Sequence, residues 1–544
     1  MKARIFGQAS LICILGVAVL GSTLALKQRD YSFFDPLIEA KAYISARYVD
    51  EPDEKALQLG AMRGMIEALN DPNSFYVPPA QTREFTKDLT GEYVGIGVSV
   101  IVRDSWLTVV SPLEDSPAYR AGIMADDRIV QIGETSTFGL SPDECVAILT
   151  GEPGTQVNLI IERKGERIPI SLTRELIITR TVKGVHRTGV NGEWSHILDE
   201  GRRIGYVRIT QFTAGTDDEV ADAIASLGDP AGIGGLILDV RSNPGGLLNP
   251  AVAIADMFLH EGVIVSMKGR AHPEEVARAT ADGTLPDFPI VVLIDGQSAS
   301  ASEIVAGALV ENDRAIAVGS RSFGKGSVQG VQRLPSANGG QIKLTEQRYY
   351  LPSGRSIHRV DDASEWGVDP TPGFHVPLTD ERYLAMMLQR RDDDVIRSTP
   401  SETGRWADSE WIIEHQKDEQ LAAALRAMQI RLDSGRWQPT GGDAPTSDDL
   451  LAVELRRAES ARERLLDELA RVSRRMEELR VRGIISEPAT DLWPDDIDIT
   501  GGRLEVISAD GTKIASLRIT NEELERWLIR AGLEPDDDPA SERP

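Results

Sequence analysis

Sulfur chemistry is nearly absent from this chain: its 544 residues hold two cysteines, Cys13 and Cys145. That excludes an internal disulfide framework and any zinc site built on several thiolates. Its seven histidines, at 186, 196, 260, 272, 358, 375 and 415, are scattered. No His-Glu-x-x-His spacing occurs, so neither a metal nor any other cofactor is expected. Positive charge is in deficit, with 59 Lys+Arg against 85 Asp+Glu and a formal net charge of −26. Such a surface repels a phosphate backbone, so nucleic acid is not an expected partner. Beyond residue 26 there is no second apolar run long enough to span a bilayer. What remains is ordinary for a globular protein: 41% hydrophobic and 26% charged residues. The length allows about three or four domains.

Lys2 and Arg4 precede an uncharged stretch over 9–26 that ends at Lys27. At that length it lies between a secretory apolar region and a spanning helix, and Thr23-Leu24-Ala25 offers a small-residue cleavage site. Residues 1–30 are therefore expected to be a signal peptide or a membrane anchor. The body is expected outside the cytoplasm, periplasmic or in the cell envelope, with anchorage to the inner membrane as one alternative.

Residues 31–90 carry helical spacing, at Leu37, Ile38, Ala42, Ile44 and Tyr48 and again over 56–69, until Asn70-Asp71-Pro72-Asn73 breaks it. Over 91–176 the pattern changes to short β-type runs separated by turn residues. From 204 to 319, strand and helix signals alternate. This predicts an α/β domain with a mainly parallel sheet, whose sites collect at the carboxyl ends of strands. The Gly- and Ser-rich turns at 242–246 and 296–302 occupy such ends. Residues 381–448 are expected to be a linker region. A helix over 449–484 follows, with Leu451, Leu455, Ala458, Arg462, Leu465, Leu469, Val472, Met476 and Leu479 in heptad spacing. It reads either as a coiled coil for self-association or as a surface helix packed on its own subunit. Residues 485–544 predict a small α+β segment and a tail.

Gly95-Ile96-Gly97-Val98 opens a strand, followed by Ser116-Pro117-Ala118-Tyr119-Arg120-Ala121-Gly122-Ile123, Asp126-Asp127-Arg128-Ile129 and Gly151-Glu152-Pro153-Gly154-Thr155. Together these resemble a PDZ domain of the bacterial-protease kind over 91–176. A glycine loop before a strand can aim N–H groups at one anion, and the strand edge can accept an extended peptide. A protein C-terminus satisfies both. The peptide-binding expectation rests on Gly95, Ile96, Gly97 and Val98, although a tight strand-entry turn would also use such glycines.

Three further segments carry chemistry: Gln297-Ser298-Ala299-Ser300-Ala301-Ser302-Glu303 at a strand-to-helix junction, Ser322-Phe323-Gly324-Lys325-Gly326-Ser327-Val328-Gln329, and Asp239-Val240-Arg241-Ser242-Asn243-Pro244-Gly245-Gly246. At these residues the chain resembles the C-terminal processing (tail-specific) peptidase family, over roughly 31–380. The resemblance implies a ClpP/crotonase-like peptidase core over 177–380. It implies Ser300 as nucleophile, Lys325 as base, Gln329 as their partner, and backbone N–H groups of Ala301, Gly245 and Gly246 as oxyanion donors. It also implies protein substrates with unstructured C-terminal tails, and dimer contacts through 31–90 in some members.

The chemistry can be argued without the family. A serine needs a base within hydrogen-bond reach. A lysine serves only when neutral, and poising it near neutral pH takes roughly 4 kcal/mol of differential destabilisation of its ammonium. Burial without a carboxylate partner supplies this, and Lys325 is the one charge in 323–329. Gln329 offers a neutral carbonyl to orient the amine. The helix starting near Ala301 adds a positive dipole end. Ser300-x-x-Glu303 is equally a capping box, and Ser298 and Ser302 compete as nucleophiles, with only the family's spacing to Lys325 preferring Ser300. Asp239 and Arg241 read as a structural pair bracing the glycine turn. Residues 319–325 imitate a phosphate-binding loop, but Gly326 stands where a magnesium-binding hydroxyl belongs. The expected function is a serine endopeptidase acting on protein tails, with the PDZ domain gating the site. The alternatives are an inert PDZ and coiled-coil scaffold and, more distantly, a crotonase-like acyl transferase.

Overall fold

A computed structural model describes residues 32–443 apart from 83–84, 86–90, 189–192, 336–338, 361–362, 364 and 397–403, together with a few positions between 455 and 469 and residues 502–507 and 513–518. The signal or anchor segment lies outside the described residues. Among the described residues no helix is long and apolar enough to cross a membrane.

Two helices, α1 (Asp35–Arg47) and α2 (Glu54–Glu67), lead into a short strand, β1 (Phe75–Val77). Asp53 caps α2 by accepting the N–H groups of Lys55 and Ala56. The apolar residues of α1 find no core: Leu37, Ile38 and Tyr43 are exposed.

The β-rich module follows. Its sheet runs β2 (Val98–Arg103), β3 (Trp106–Pro112), β4 (Arg128–Ile132), β5 (Gln156–Arg163) and β6 (Glu166–Thr173) in that order, all antiparallel. Alternate residues of β5 point inward, so Val157, Leu159 and Ile161 are buried while Gln156 and Asn158 are exposed. A capped helix, α3 (Pro142–Leu149), closes the module on Cys145 and Leu149. β2 stands at the edge of the sheet.

The main sheet places β7 (Ile204–Ile209), β8 (Gly235–Asp239), β9 (Ile290–Ile294) and β10 (Ala315–Gly319) side by side, all parallel. These strands are apolar at nearly every position because both faces are covered. Val207, Leu236, Leu238, Val292 and Ala317 face one core with α4 (Thr216–Ser226), α5 (Leu248–Asp256) and α6 (Ala301–Glu311). Tyr206, Ile237, Val291, Leu293, Ile316 and Val318 face the other. A second, antiparallel sheet contains β11 (Ser327–Arg333) paired with β12 (Gln341–Tyr350), and β12 also pairs with β1.

The linker expectation for 381–448 is corrected here. Asp380–Asp394 form helix α7 and Glu419–Ser434 form helix α8. The stripe from Leu421 to Met428 on α8 covers the second face of the main sheet. The polar composition of α7 disguised it, since its Arg390 is buried against acids from other segments. The contiguous fold ends near Pro445, and residues from Thr446 form a separate unit. In that unit Arg503–Ile507 and Lys513–Arg518 pair antiparallel. Most of the heptad segment lies outside the described residues; Leu455, Leu465 and Leu469 are helical and exposed. The rest of the small α+β segment and tail expected over 485–544 lies outside them.

Candidate active site

Ser300 terminates the turn between β9 and α6. Its φ is 56° and ψ −113°, a conformation L-residues rarely adopt. Such strain costs about 1–3 kcal/mol and persists only where surroundings enforce it. Three serines alternate here, and the structure separates them. Ser298 Oγ donates to the Val240 carbonyl (2.8 Å) and accepts the Asp295 N–H (3.0 Å). Ser302 Oγ donates to the Asn243 carbonyl (3.0 Å). Both are wholly buried, while Ser300 keeps 7% of its surface. The hydroxyls of Ser298 and Ser302 thus hold the turn to the neighbouring strand end.

Glu303 contributes more than half a capping box. Its side chain is completely buried. Oε2 accepts the N–H groups of both Ser300 (2.8 Å) and Lys325 (2.8 Å). Oε1 accepts Ser322 Oγ–H (2.6 Å) and Gly324 N–H (2.7 Å). One carboxylate therefore ties the serine turn to the lysine turn across 25 residues of sequence. Burial pushes its pKa up, against the pull of these four donors. The Phe323 N–H donates to the Ser298 carbonyl (3.0 Å), a second tie between the turns.

Lys325 is half-buried and, among the described residues, has no ion-pair partner. Burial depresses its pKa, while Glu303 and then Asp71 raise it. Burial without a carboxylate partner was expected; two acids act on Lys325 electrostatically, and desolvation outweighs them. Gln329 lies on β11. Its Nε2 donates to Ser327 Oγ (2.8 Å) and Thr345 Oγ1 (3.3 Å).

The glycine turn packs directly on the serine. A Cβ on Gly245 would fall 2.8 Å from Ser300 Cβ and 3.0 Å from Ala301 N. Gly246 has φ 144°, and a Cβ there would meet the Phe212 carbonyl at 2.0 Å, so no other residue fits. The expectation for Gly245 changes: its N–H donates to Asn243 Oδ1 (2.9 Å) and is not open to an oxyanion in this conformation. The bridge between Phe212 and Gly246 uses Gly245 O and Leu247 N, which leaves the Gly246 N–H outside that ladder. Ala301 is the first residue of α6, where N–H groups have no partner within the helix.

Behind this turn stands a buried charge network. Arg241 is bidentate to Asp239 (2.9 and 2.6 Å) and to Asp418 (2.8 and 2.9 Å). Arg390 reaches the same two carboxylates (2.8 and 3.0 Å), and Tyr206 OH donates to Asp239 (2.8 Å). Ser242 Oγ meets Tyr383 OH at 2.8 Å. Asp418 caps α8, while Tyr383 and Arg390 belong to α7. Sequence reasoning paired Asp239 with Arg241 and missed the other members; nothing in local spacing marks partners 140 to 180 residues away.

In the β-rich module, Gly95, Ile96 and Gly97 are buried and Val98 begins the edge strand. Gly97 has φ 72°, and a Cβ would come 2.2 Å from Ser116 Cβ. Ser116 Oγ donates to the Gly97 carbonyl (2.8 Å), and the Ala118 N–H to the Ile96 carbonyl (2.9 Å). No group of metal-ligating side chains occurs among the described residues.

Residues 203–371 match the model of peptidase family S41, 108–163 that of the PDZ domain, and 23–80 that of the activating protease CtpB N-terminal domain. The class is thus a serine-type peptidase equipped with a PDZ domain. The carboxy-terminal-processing protease of Bartonella bacilliformis is 35% identical over 403 residues, covering 72% of this chain and 88% of the relative. The carboxy-terminal processing protease CtpA of Bacillus subtilis is 34% identical, with 63% and 72% covered. The chain belongs to the carboxy-terminal processing protease family. The solved structure of a photosystem II D1 C-terminal processing protease is 28% identical, covers 64% of this chain and 88% of its own, and has a TM-score of 0.36.

Proposed function

We propose that this peptidase hydrolyses polypeptides at the Ser300–Lys325 pair after its PDZ domain captures their unstructured C-terminal tails. The supporting observation is the shared carboxylate oxygen: Glu303 Oε2 holds the amides of Ser300 and Lys325 together. Neutral Lys325 accepts the Ser300 hydroxyl proton as Oγ bonds to the scissile carbonyl carbon. The resulting ammonium gives that proton to the leaving amine as the C–N bond breaks. Water then attacks the acyl ester, loses its proton to the lysine, and Ser300 Oγ takes a proton back as the acid leaves. The N–H groups of Ala301 and Gly246 stabilise the oxyanion. Gly245 contributes the closeness that a missing Cβ permits. Gln329 orients the amine with its carbonyl.

Tail capture uses β2, an edge strand lying beside α3. A peptide adds there as a further strand, with its terminal carboxylate at residues 95–98. The basic-then-apolar start over 2–27 supports export to the cell envelope. The exposed apolar residues of α1 and of the heptad segment support self-association.

The test is mass spectrometry of an unfolded protein incubated with wild type, Ser300→Ala and Lys325→Ala. Cleavage by wild type alone is expected. Because burial depresses Lys325, the rate should rise with pH through a single group titrating below an ordinary lysine. No cleavage by any of the three would favour the scaffold reading.

A further inference from the structure

The turn at 70–74 enters the sequence reading only as a helix breaker, yet it reaches the active site. Ser74 Oγ–H donates to Asp71 Oδ2 (2.6 Å), and the Asn73 N–H to Asp71 Oδ1 (3.0 Å). Ser74 is buried, and its Oγ accepts the N–H of Thr345 (2.9 Å). Thr345 is the residue opposite Gln329 on β12, where the register shifts between Val328 and Gln329. Its Oγ1 receives the Gln329 amide (3.3 Å). A continuous hydrogen-bonded chain therefore links Asp71, Ser74, Thr345 and Gln329. The pairing of β1 with β12 holds its two ends in register.

We propose that Asp71 is a positioning residue of the peptidase site: it fixes Gln329 through Ser74 and Thr345, and faces Lys325 with the negative charge that its ammonium form needs. The inference rests on the reading of Lys325 as the base. When lysine takes the serine proton it becomes a cation in a partly dry site, and the burial that kept it neutral now opposes it. A fixed anion without a direct salt bridge eases that step and does not lock the amine in its charged form. Asp71 is suited to this. Burial pushes its carboxyl up, but hydrogen bonds from Ser74, Thr345 and Asn73 outweigh this and keep it below the usual range. Its charge raises both Lys325 and His358.

Among the described residues, the other charged or titratable groups around Lys325 include Glu303 on α6, Lys343, Arg348 and Tyr349 on β12, and His358. His358 abuts Gly326, whose added Cβ would lie 2.5 Å from the His358 amide. Glu303 has its lone pairs spent on four donors, and Lys343 and Lys325 repel one another. Asp71 is the second acid whose charge acts on Lys325.

The experiment measures kcat/KM against pH on the full chain with a fluorogenic peptide, for wild type, Asp71→Asn, Ser74→Ala and Lys325→Ala. Asp71→Asn should lower the plateau about 10- to 100-fold, the cost of a misplaced catalytic group. It should also move the acid-side limb to lower pH, because an anion that raises Lys325 is gone. Ser74→Ala keeps the charge and should lower the plateau without moving the limb. An Asp71→Asn profile that keeps the wild-type plateau and limb, with only the melting temperature reduced, overturns the proposal while Lys325→Ala stays inactive. Full activity in Lys325→Ala would instead sink the lysine reading itself, and this proposal with it.

Discussion

Two acids on either side of the glycine turn, Asp239 and Glu303, are both removed entirely from solvent, and they titrate in opposite directions. Burial alone would raise both. At Asp239 the guanidiniums of Arg241 and Arg390 reverse this and hold the carboxyl far below its ordinary range. At Glu303 the partners are three backbone amides and a hydroxyl, so burial prevails and the carboxyl is raised. The contrast bears on function. Cations beside Asp239 make a strut that braces the turn at 242–246 from behind. Neutral donors around Glu303 aim the backbones of Ser300 and Lys325 without an ion pair on the lysine. A direct salt bridge there would favour the charged ammonium of Lys325, which the proposed role as base does not allow.

Replacing Asp239 with Asn should have the largest effect on stability. It leaves two buried guanidiniums short of a partner, and denaturant melts should show a loss of about 3–5 kcal/mol. Glu303→Gln comes next, at about 1–3 kcal/mol, because an amide offers one acceptor oxygen where the carboxylate serves four donors. Activity should fall about 100-fold as the two turns lose register. The acid limb of the rate profile should also move to lower pH, since Glu303 no longer raises Lys325. If the limb stays in place, Glu303 acts through geometry alone.

The contrast sharpens under acid. The folded state favours protonated Glu303, so its share of stability is full below the ordinary carboxylate range and is lost as pH rises through its raised pKa. Asp239 behaves inversely: its share is full above the ordinary range and disappears only as pH falls below it. The melting-temperature gap between wild type and Asp239→Asn should thus hold from neutral pH to the ordinary carboxylate range and close below it. The gap between wild type and Glu303→Gln should already widen in wild type's favour on mild acidification. The smallest effect belongs to Ser302→Ala, at about 1 kcal/mol of stability, with turnover changed no more than a few-fold. A dead Ser302→Ala enzyme would overturn the assignment of Ser300.

Much of the layout is legible in the chain. The apolar runs at 204–209, 235–239, 290–294 and 315–319 are strands because continuous apolarity marks a sheet covered on both faces. The PDZ module is legible because its turns need Gly at fixed points, and Gly97 has a steric reason in Ser116. The helices of 380–434 escaped because α7 is rich in charge, and charge reads as solvated until its buried partners are known. The hydroxyl assignments within 298–302 escaped for a related reason: three serines at alternate positions look alike until their acceptors come into view.

By itself, then, the chain determined the periodicities and the glycines without which the turns close on a neighbour, because these depend on local sterics and pattern. Only the tertiary structure decided that Ser298 and Ser302 spend their hydroxyls on the neighbouring strand end, that the Gly245 N–H goes to Asn243, that Glu303 ties the serine turn to the lysine turn, and that Asp418 reaches Arg241 from a distant segment. Hydrogen bonds and fields act through space, and linear spacing holds no record of them.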